Sequence, residues 1–269
     1  MDFSDELLAA KHAALEAGAK VMGIYNAGAS KVSLKEDRSE VTEADYTANE
    51  TIIARLSPFS HPIISEETAG AGEVGAGKVW VVDPLDGTMD FVRRTGEFAV
   101  MIGLLEKRKP VLGVVYVPLQ GALYYAEKGK GAHVEKNHGK AEKIGVSKAA
   151  AVSSFRILVS KNHFTEQDGE FVRFLGSPRV SQKGSMGVKL AEIASGNAEL
   201  YWNFQKLAIW DVCGPQALLE GAGGNVCDLE GGELDYSGRR LNTGFIASNG
   251  KAGKELLSKF SAFLEKKVK

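Results

Sequence analysis

At 269 residues, with 44% hydrophobic and 25% charged residues, the chain can bury one large core or two modest ones, and it reads as a soluble globular protein. A formal net charge of −1 removes any electrostatic reason to expect a nucleic-acid polymer or an anionic membrane as partner, while a local basic pocket could still take a nucleotide-sized anion. The acidic opening, Met1-Asp2-Phe3-Ser4-Asp5-Glu6, has no long apolar segment behind it, so neither a secretory signal nor a transmembrane helix is expected; Cys213 and Cys227 suit buried apolar positions in a reducing cytoplasm better than a disulfide framework.

Leu7, Leu8, His12, Leu15, Ala19 and Met22 keep helical spacing; the region 28–38 interrupts it, and a second helix is expected over about 43–56. His12 stands alone in its stripe and reads as a surface or packing residue. The segment His61-Pro62-Ile63-Ile64-Ser65 predicts a short strand tipped by Glu66-Glu67. The run 79–82 has no polar residue, as a strand covered on both faces requires, and Pro84 is expected to end its ladder by removing an amide donor. The stretches 98–105, 111–118 and 121–126 predict a largely antiparallel sheet. Lys107-Arg108-Lys109-Pro110 reads as an exposed turn and Pro118-Leu119-Gln120-Gly121 as a hairpin.

Between 136 and 154 the chain turns polar and alanine-rich, which places a boundary between an α+β domain, 1–150, and an α/β domain, 151–269. The second part predicts strands at 155–160, near Val180 and at 198–204, alternating with helices at 166–175, 187–195 and 212–222. Gly221-Ala222-Gly223-Gly224 follows a helix and precedes a strand, so it reads as a helix cap and turn rather than a phosphate loop.

The chemistry-bearing feature is Trp80-Val81-Val82-Asp83-Pro84-Leu85-Asp86-Gly87-Thr88, an apolar strand that ends in two acids, a proline and a glycine. A plain Asp-Pro turn or helix cap accounts for either aspartate alone. Two further acid-tipped segments, Ile63-Ile64-Ser65-Glu66 and Ile209-Trp210-Asp211, change that balance. If Glu66, Asp83, Asp86 and Asp211 converge, each close pair repels by about 4 kcal/mol at a separation near 4 Å and an effective dielectric near 20. Such a cluster persists only with protonation or bound cations. All-oxygen ligands favour hard ions, Mg²⁺ above all where phosphate oxygens complete the shell.

Glu66-Glu67, Asp83-Pro84-Leu85-Asp86-Gly87-Thr88 and Trp210-Asp211, in this order and spacing, resemble the three-part signature of the inositol monophosphatase superfamily. The resemblance spans about 41–244 and implies a layered αβαβα sandwich and a Mg²⁺-dependent, commonly lithium-sensitive phosphatase. It implies two or three Mg²⁺ ions held by Glu66, Asp83, the carbonyl of Leu85, Asp86 and Asp211. Val41-Thr42-Glu43-Ala44-Asp45 matches the family motif whose aspartate pairs with the threonine after the glycine, so Asp45 and Thr88 are the implied water-activating pair. Thr42 is equally a natural N-cap with Asp45 at the third helical position, and both roles can hold. If 89–93 opens a helix, the amides of Gly87 and Thr88 would face the phosphate.

For substrate, Lys35-Glu36-Asp37-Arg38-Ser39, Gly96-Glu97-Phe98, Ser160-Lys161-Asn162-His163 and Gly184-Ser185-Met186-Gly187-Val188-Lys189 resemble segments of the 3'(2'),5'-bisphosphate nucleotidase branch. That resemblance implies release of the 3'-phosphate of adenosine 3',5'-bisphosphate to give AMP. It also makes Ser160, His163, Gly184, Ser185 and Lys189 substrate-binding, with His163 at the base and Lys189 at a second phosphate. Inositol monophosphatases carry a glutamate where this chain has Asn203, which argues against a polyol. Two alternatives remain open: a phosphatase of the same fold acting on inositol, sugar or histidinol phosphate, and a non-catalytic scaffold that kept the metal residues. Monomer and homodimer are both compatible with the sequence.

Overall fold

The computed structural model describes residues 2–28, 32–34, 40–68, 74–177 and 179–268. The segment Lys35 to Ser39, likened above to the nucleotidases, lies outside the described residues. Helix α1 (Ser4–Ala27) buries Ala10, Ala13, Ala14, Ala17 and Val21, a face of small side chains that lets α2 (Glu43–Leu56) approach closely through Ala44, Ala48, Ile52 and Leu56. Between them lies more than an interruption, because β1 (Val32–Leu34) and β2 (Glu40–Thr42) pair antiparallel.

The first sheet follows chain order: β3 (Ile63–Ser65), β4 (Lys78–Asp86), β5 (Ala99–Glu106), β6 (Lys109–Val117), β7 (Ala122–Glu127), β8 (Gly131–Lys136) and β9 (Glu142–Ile144). Every pair is antiparallel except β3 with β4. Along β4, Trp80 and Val82 join the core under α1 and α2, whereas Val79 and Val81 join the core on the opposite face. Burial on both faces is why this strand lacks polar alternation.

The second sheet has the order β11-β10-β12-β14-β13, built from β10 (Ile157–Ser160), β11 (Val180–Lys183), β12 (Leu200–Asn203), β13 (Asn225–Asp228) and β14 (Phe245–Ser248). Helices α5 (Met186–Ala194) and α6 (Ile209–Gly221) lie between the sheets in one continuous core, while α4 (Glu166–Leu175) and α7 (Gly253–Val268) cover the outer face of the second. The layers therefore run helix, sheet, helix, sheet, helix. The boundary expected near residue 150 falls between the last strand of one sheet and the first of the next, yet α6 packs its backbone directly on β6: a Cβ on Gly113 would come within 2.1 Å of the Gly214 carbonyl oxygen.

Three expectations need correction. Pro84 does not end its strand, because β4 continues to Asp86 through a bulge: Asp83 pairs with Met101 and Asp86 with Ala99, so Pro84 sits where the ladder asks for no donor. Helix α6 begins at Ile209, not near 212, which places Asp211 in its first turn. Finally, β9, β14 and α7 form where no element was expected.

Candidate active site

The acidic residues meet at the ends of four segments. Thr42 caps α2, its hydroxyl accepting from the Ala44 amide at 3.1 Å, and Asp45 Oδ2 accepts from the Thr42 amide and hydroxyl, each at 2.7 Å. The other oxygen, Oδ1, accepts from Thr88 Oγ at 2.9 Å. Thr88 Oγ also lies 3.1 Å from the Leu85 carbonyl; with a single hydroxyl proton it donates to one of the two at a time. Cap and hydroxyl partner thus coexist on separate oxygens of Asp45.

The β4 bulge delivers Asp83, Leu85 and Asp86. Asp83 Oδ1 accepts from the Leu85 amide at 3.1 Å, and the Leu85 side chain is locked in the core under α2. Gly87 follows at φ +93°, where a Cβ would stand 2.7 Å from the Glu97 carbonyl oxygen, so the turn into α3 (Thr88–Val92) requires glycine. Asp86 Oδ2 accepts from Ser185 Oγ and from the Gly187 amide, the latter at 2.7 Å. Asp211 Oδ2 accepts from the Ala208 amide at 2.9 Å. Glu66 leaves β3 with its amide bonded to the Val82 carbonyl at 3.1 Å.

These carboxylates act on one another electrostatically. Burial, then Glu66, Asp86, Asp211 and Asp45, push the carboxyl of Asp83 well above its ordinary range. Burial, with Glu66 and Asp86, lifts Asp211 to about 8, although its side chain keeps some exposure and solvent screens part of that effect. Burial raises Asp45 despite the Thr42 and Thr88 hydrogen bonds, and raises Asp86 despite Ser185. Lys189 is the buried cation nearby, lowered to about 8 by burial against the pull of Asp86, Asp90, Glu97 and Asp211. Among the described residues, no three Asp, Glu, His or Cys side chains stand close enough together, as placed, to hold a metal ion. The donor set itself, all oxygen and short of positive charge, suits a hard dication.

Of the residues expected to bind substrate, Gly184, Ser185 and Lys189 lie against this cluster, with Ser185 bonded to Asp86. Ser160 and His163 instead line an adjoining cavity of about 310 Å³ with Tyr201, Trp202 and Asn203. Lys189 Nζ stands 4.7 Å above the ring of Tyr201, which itself lines that cavity. A larger cavity, about 590 Å³, lies beside the exposed 107–109 turn and the far end of α6, away from the carboxylates.

Two contributors escaped sequence reasoning. Arg239 donates to the carbonyls of Ser65 at 3.1 Å and Thr68 at 3.0 Å while stacking over Trp210, which ties the Glu66 turn to the start of α6. Asn49 accepts from the buried Ser65 hydroxyl at 2.7 Å. Neither lies in a motif; their roles exist only once distant segments meet.

The model of the Inositol monophosphatase family matches residues 4–265. The chain belongs to this family. It is 37% identical over 242 residues to 3'(2'),5'-bisphosphate nucleotidase CysQ of Salmonella typhimurium, covering 86% of this chain and 95% of that protein. Among solved structures, CysQ from Bacteroides thetaiotaomicron, described as a bacterial member of the inositol monophosphatase family, superimposes with a TM-score of 0.75 at 30% identity, over 92% of this chain and 98% of that one. Thermotoga maritima IMPase TM1415 superimposes with a TM-score of 0.83 at 26% identity, over 97% and 99%. The protein is thus a phosphatase of this family, CysQ-like, acting on a small phosphorylated substrate. Among the described residues no helix is long and apolar enough to cross a membrane.

Proposed function

We propose that this protein is a Mg²⁺-dependent phosphatase that hydrolyses the 3'-phosphate of adenosine 3',5'-bisphosphate, giving AMP and phosphate. The observation that carries the reading is the Thr88–Asp45 pair, 2.9 Å apart, beside Glu66, Asp83, Asp86 and Asp211. Those four side chains and the Leu85 carbonyl would hold Mg²⁺. When bound, Mg²⁺ neutralises charge on the phosphate and the leaving oxygen and makes a bound water more acidic.

The protein's own residues orient and deprotonate. With its proton directed at Asp45, the Thr88 hydroxyl turns its lone pairs outward, where they accept a proton from the attacking water. Asp45, raised by burial, is the better proton acceptor for that upward shift. The water oxygen bonds to phosphorus, the bond from phosphorus to the ribose 3'-oxygen breaks, that oxygen takes up a proton from solvent, and Asp45 returns its proton to solvent. The amides of Gly87 and Thr88 would bond the phosphate, since glycine at position 87 lets the backbone come close.

Nucleotide preference is supported by the similarity to the CysQ proteins and by the cavity lined by Ser160, His163 and Tyr201, which offers a stacking and hydrogen-bonding wall to a base. The two buried, unpaired cysteines suit a reducing cytoplasm. Turnover of a panel of phosphate monoesters with Mg²⁺, with and without Li⁺, tests the proposal. A higher kcat/KM for adenosine 3',5'-bisphosphate than for inositol 1-phosphate, lost in chelator and reduced by Li⁺, is expected; preference for inositol 1-phosphate would replace the nucleotide assignment.

A further inference from the structure

The charge of Lys189 is engaged inside the protein. The residue is 2% exposed; its Nζ donates to the Gly184 carbonyl at 2.8 Å, lies 3.5 Å from the Lys183 carbonyl and caps the face of Tyr201. A lysine serving as a point charge for a substrate phosphate keeps its ammonium available to that phosphate. This side chain folds back along its own helix instead, onto the turn five residues earlier.

That turn is held from three sides. Lys189 takes the Gly184 carbonyl, Glu97 Oε2 accepts from the Gly184 amide at 3.0 Å, and Asp90 fills the place of the missing side chain, since a Cβ on Gly184 would fall 1.9 Å from Asp90 Oδ2. The next residue, Ser185, donates its hydroxyl to Asp86 Oδ2 and accepts from the Val188 amide at 3.1 Å, while the Gly187 amide bonds the same Asp86 oxygen. The Asp86 carboxylate therefore takes two hydrogen bonds from the turn, and Lys189 is one of the three groups that hold the turn.

We propose that Lys189 is a positioning residue: by pinning the Gly184 carbonyl it holds the Ser185 hydroxyl and Gly187 amide that aim Asp86, and so serves every phosphate monoester the site accepts instead of binding a second phosphate. The inference rests on the reading of Asp86 as a Mg²⁺ ligand. Groups that orient a metal ligand from behind change metal affinity by about 10- to 100-fold when removed.

The test is Mg²⁺ binding to the substrate-free protein by titration calorimetry, together with kcat and KM for adenosine 3',5'-bisphosphate and for adenosine 3'-monophosphate, which lacks the second phosphate. Lys189→Met is expected to weaken Mg²⁺ binding by about tenfold or more and to lower kcat on both nucleotides by the same factor. Ser185→Ala should reproduce both effects, the double variant should be little worse than either single one, and Lys189→Gln, which keeps a donor, should recover part of the Mg²⁺ affinity. A loss confined to the bisphosphate with unchanged Mg²⁺ affinity would overturn the proposal, as would unchanged Mg²⁺ affinity in all variants. Should Lys189→Met fail to fold, Lys189→Gln and Ser185→Ala carry the same comparison. If the wild type turned over neither nucleotide while the variants still lost Mg²⁺ affinity, the nucleotide reading would fail and the positioning role would stand.

Discussion

Asp45 gives one carboxylate oxygen to the cap of α2 and the other to Thr88, so its replacement should show two separable effects. Thr88→Ala is expected to lower kcat by about 10² with little change in KM, and Asp45→Ala to match it, with the double variant no worse than either because the two act as one unit. Asp45→Ala should in addition lose about 1 kcal/mol of stability in urea through the broken cap, a loss Thr88→Ala escapes. Additive kinetic losses would separate the two residues. Asp83 carries the opposite expectation: it is buried among four other carboxylates, so Asp83→Asn should abolish activity yet raise the melting temperature in chelator. Full activity with ordinary Mg²⁺ dependence in that variant would remove Asp83 from the metal site.

At the scale of elements, α6 carries Asp211, the proposed metal ligand, and also closes the core between the sheets. Its first turn holds Asp211 and its middle lies backbone to backbone on β6 at Gly113 and Gly214. Because the obstructing atom at Gly113 is a main-chain oxygen, no side chain can swing away to relieve an added methyl. Gly113→Ala is therefore expected to cost about 1–3 kcal/mol, read as a lower urea midpoint at unchanged m-value, and to displace Asp211 with the helix. An unchanged midpoint would show that α6 can shift freely on the sheet. The β4 bulge is a comparable device, since it lets Pro84 stand inside a strand while Asp83 and Asp86 reach the same site.

For the whole molecule, the acid cluster makes stability depend on pH and metal together. The folded-state pKa of Asp211, about 8, lies above the ordinary aspartate value of 3.8, so the unfolded chain releases that proton first as pH rises. In chelator the cluster should therefore weaken the fold progressively between about pH 4 and pH 8 and by its full amount above that. On the proposed reading Mg²⁺ binds the folded cluster and not the unfolded chain, so it should restore the loss, with a melting temperature that climbs with Mg²⁺ concentration and climbs more at pH 8 than at pH 5. Equal Mg²⁺ shifts at both pH values would mean that the carboxylates do not share a common ion site.

The acids themselves were legible because each stands at the end of an apolar run, and the three-part spacing of Glu66, Asp83 to Thr88 and Asp211 pointed to family, fold and chemistry together. The strands around them were legible where both faces are apolar, as in β4, β5 and β6, whereas α1 buries its alanine face and leaves Leu8 and His12 of the expected stripe exposed. Polar β9 paired only because β8 presents an open edge, and Pro84 stayed in its strand only because β5 tolerates a bulge opposite it. Nothing local to Lys189 distinguishes a cation for substrate from a cation for the Gly184 turn, or marks Arg239 as the tie between the Glu66 turn and Trp210. Arg239 comes within hydrogen-bond reach of the Ser65 and Thr68 carbonyls only when the two sheets close on α5 and α6, and although Lys189 reaches only five residues back, the Gly184 turn it touches meets Asp86, Asp90 and Glu97 by the same closure. Residue type and local spacing determine which groups are available for chemistry; the direction in which each one points is decided by contacts that only the assembled layers create.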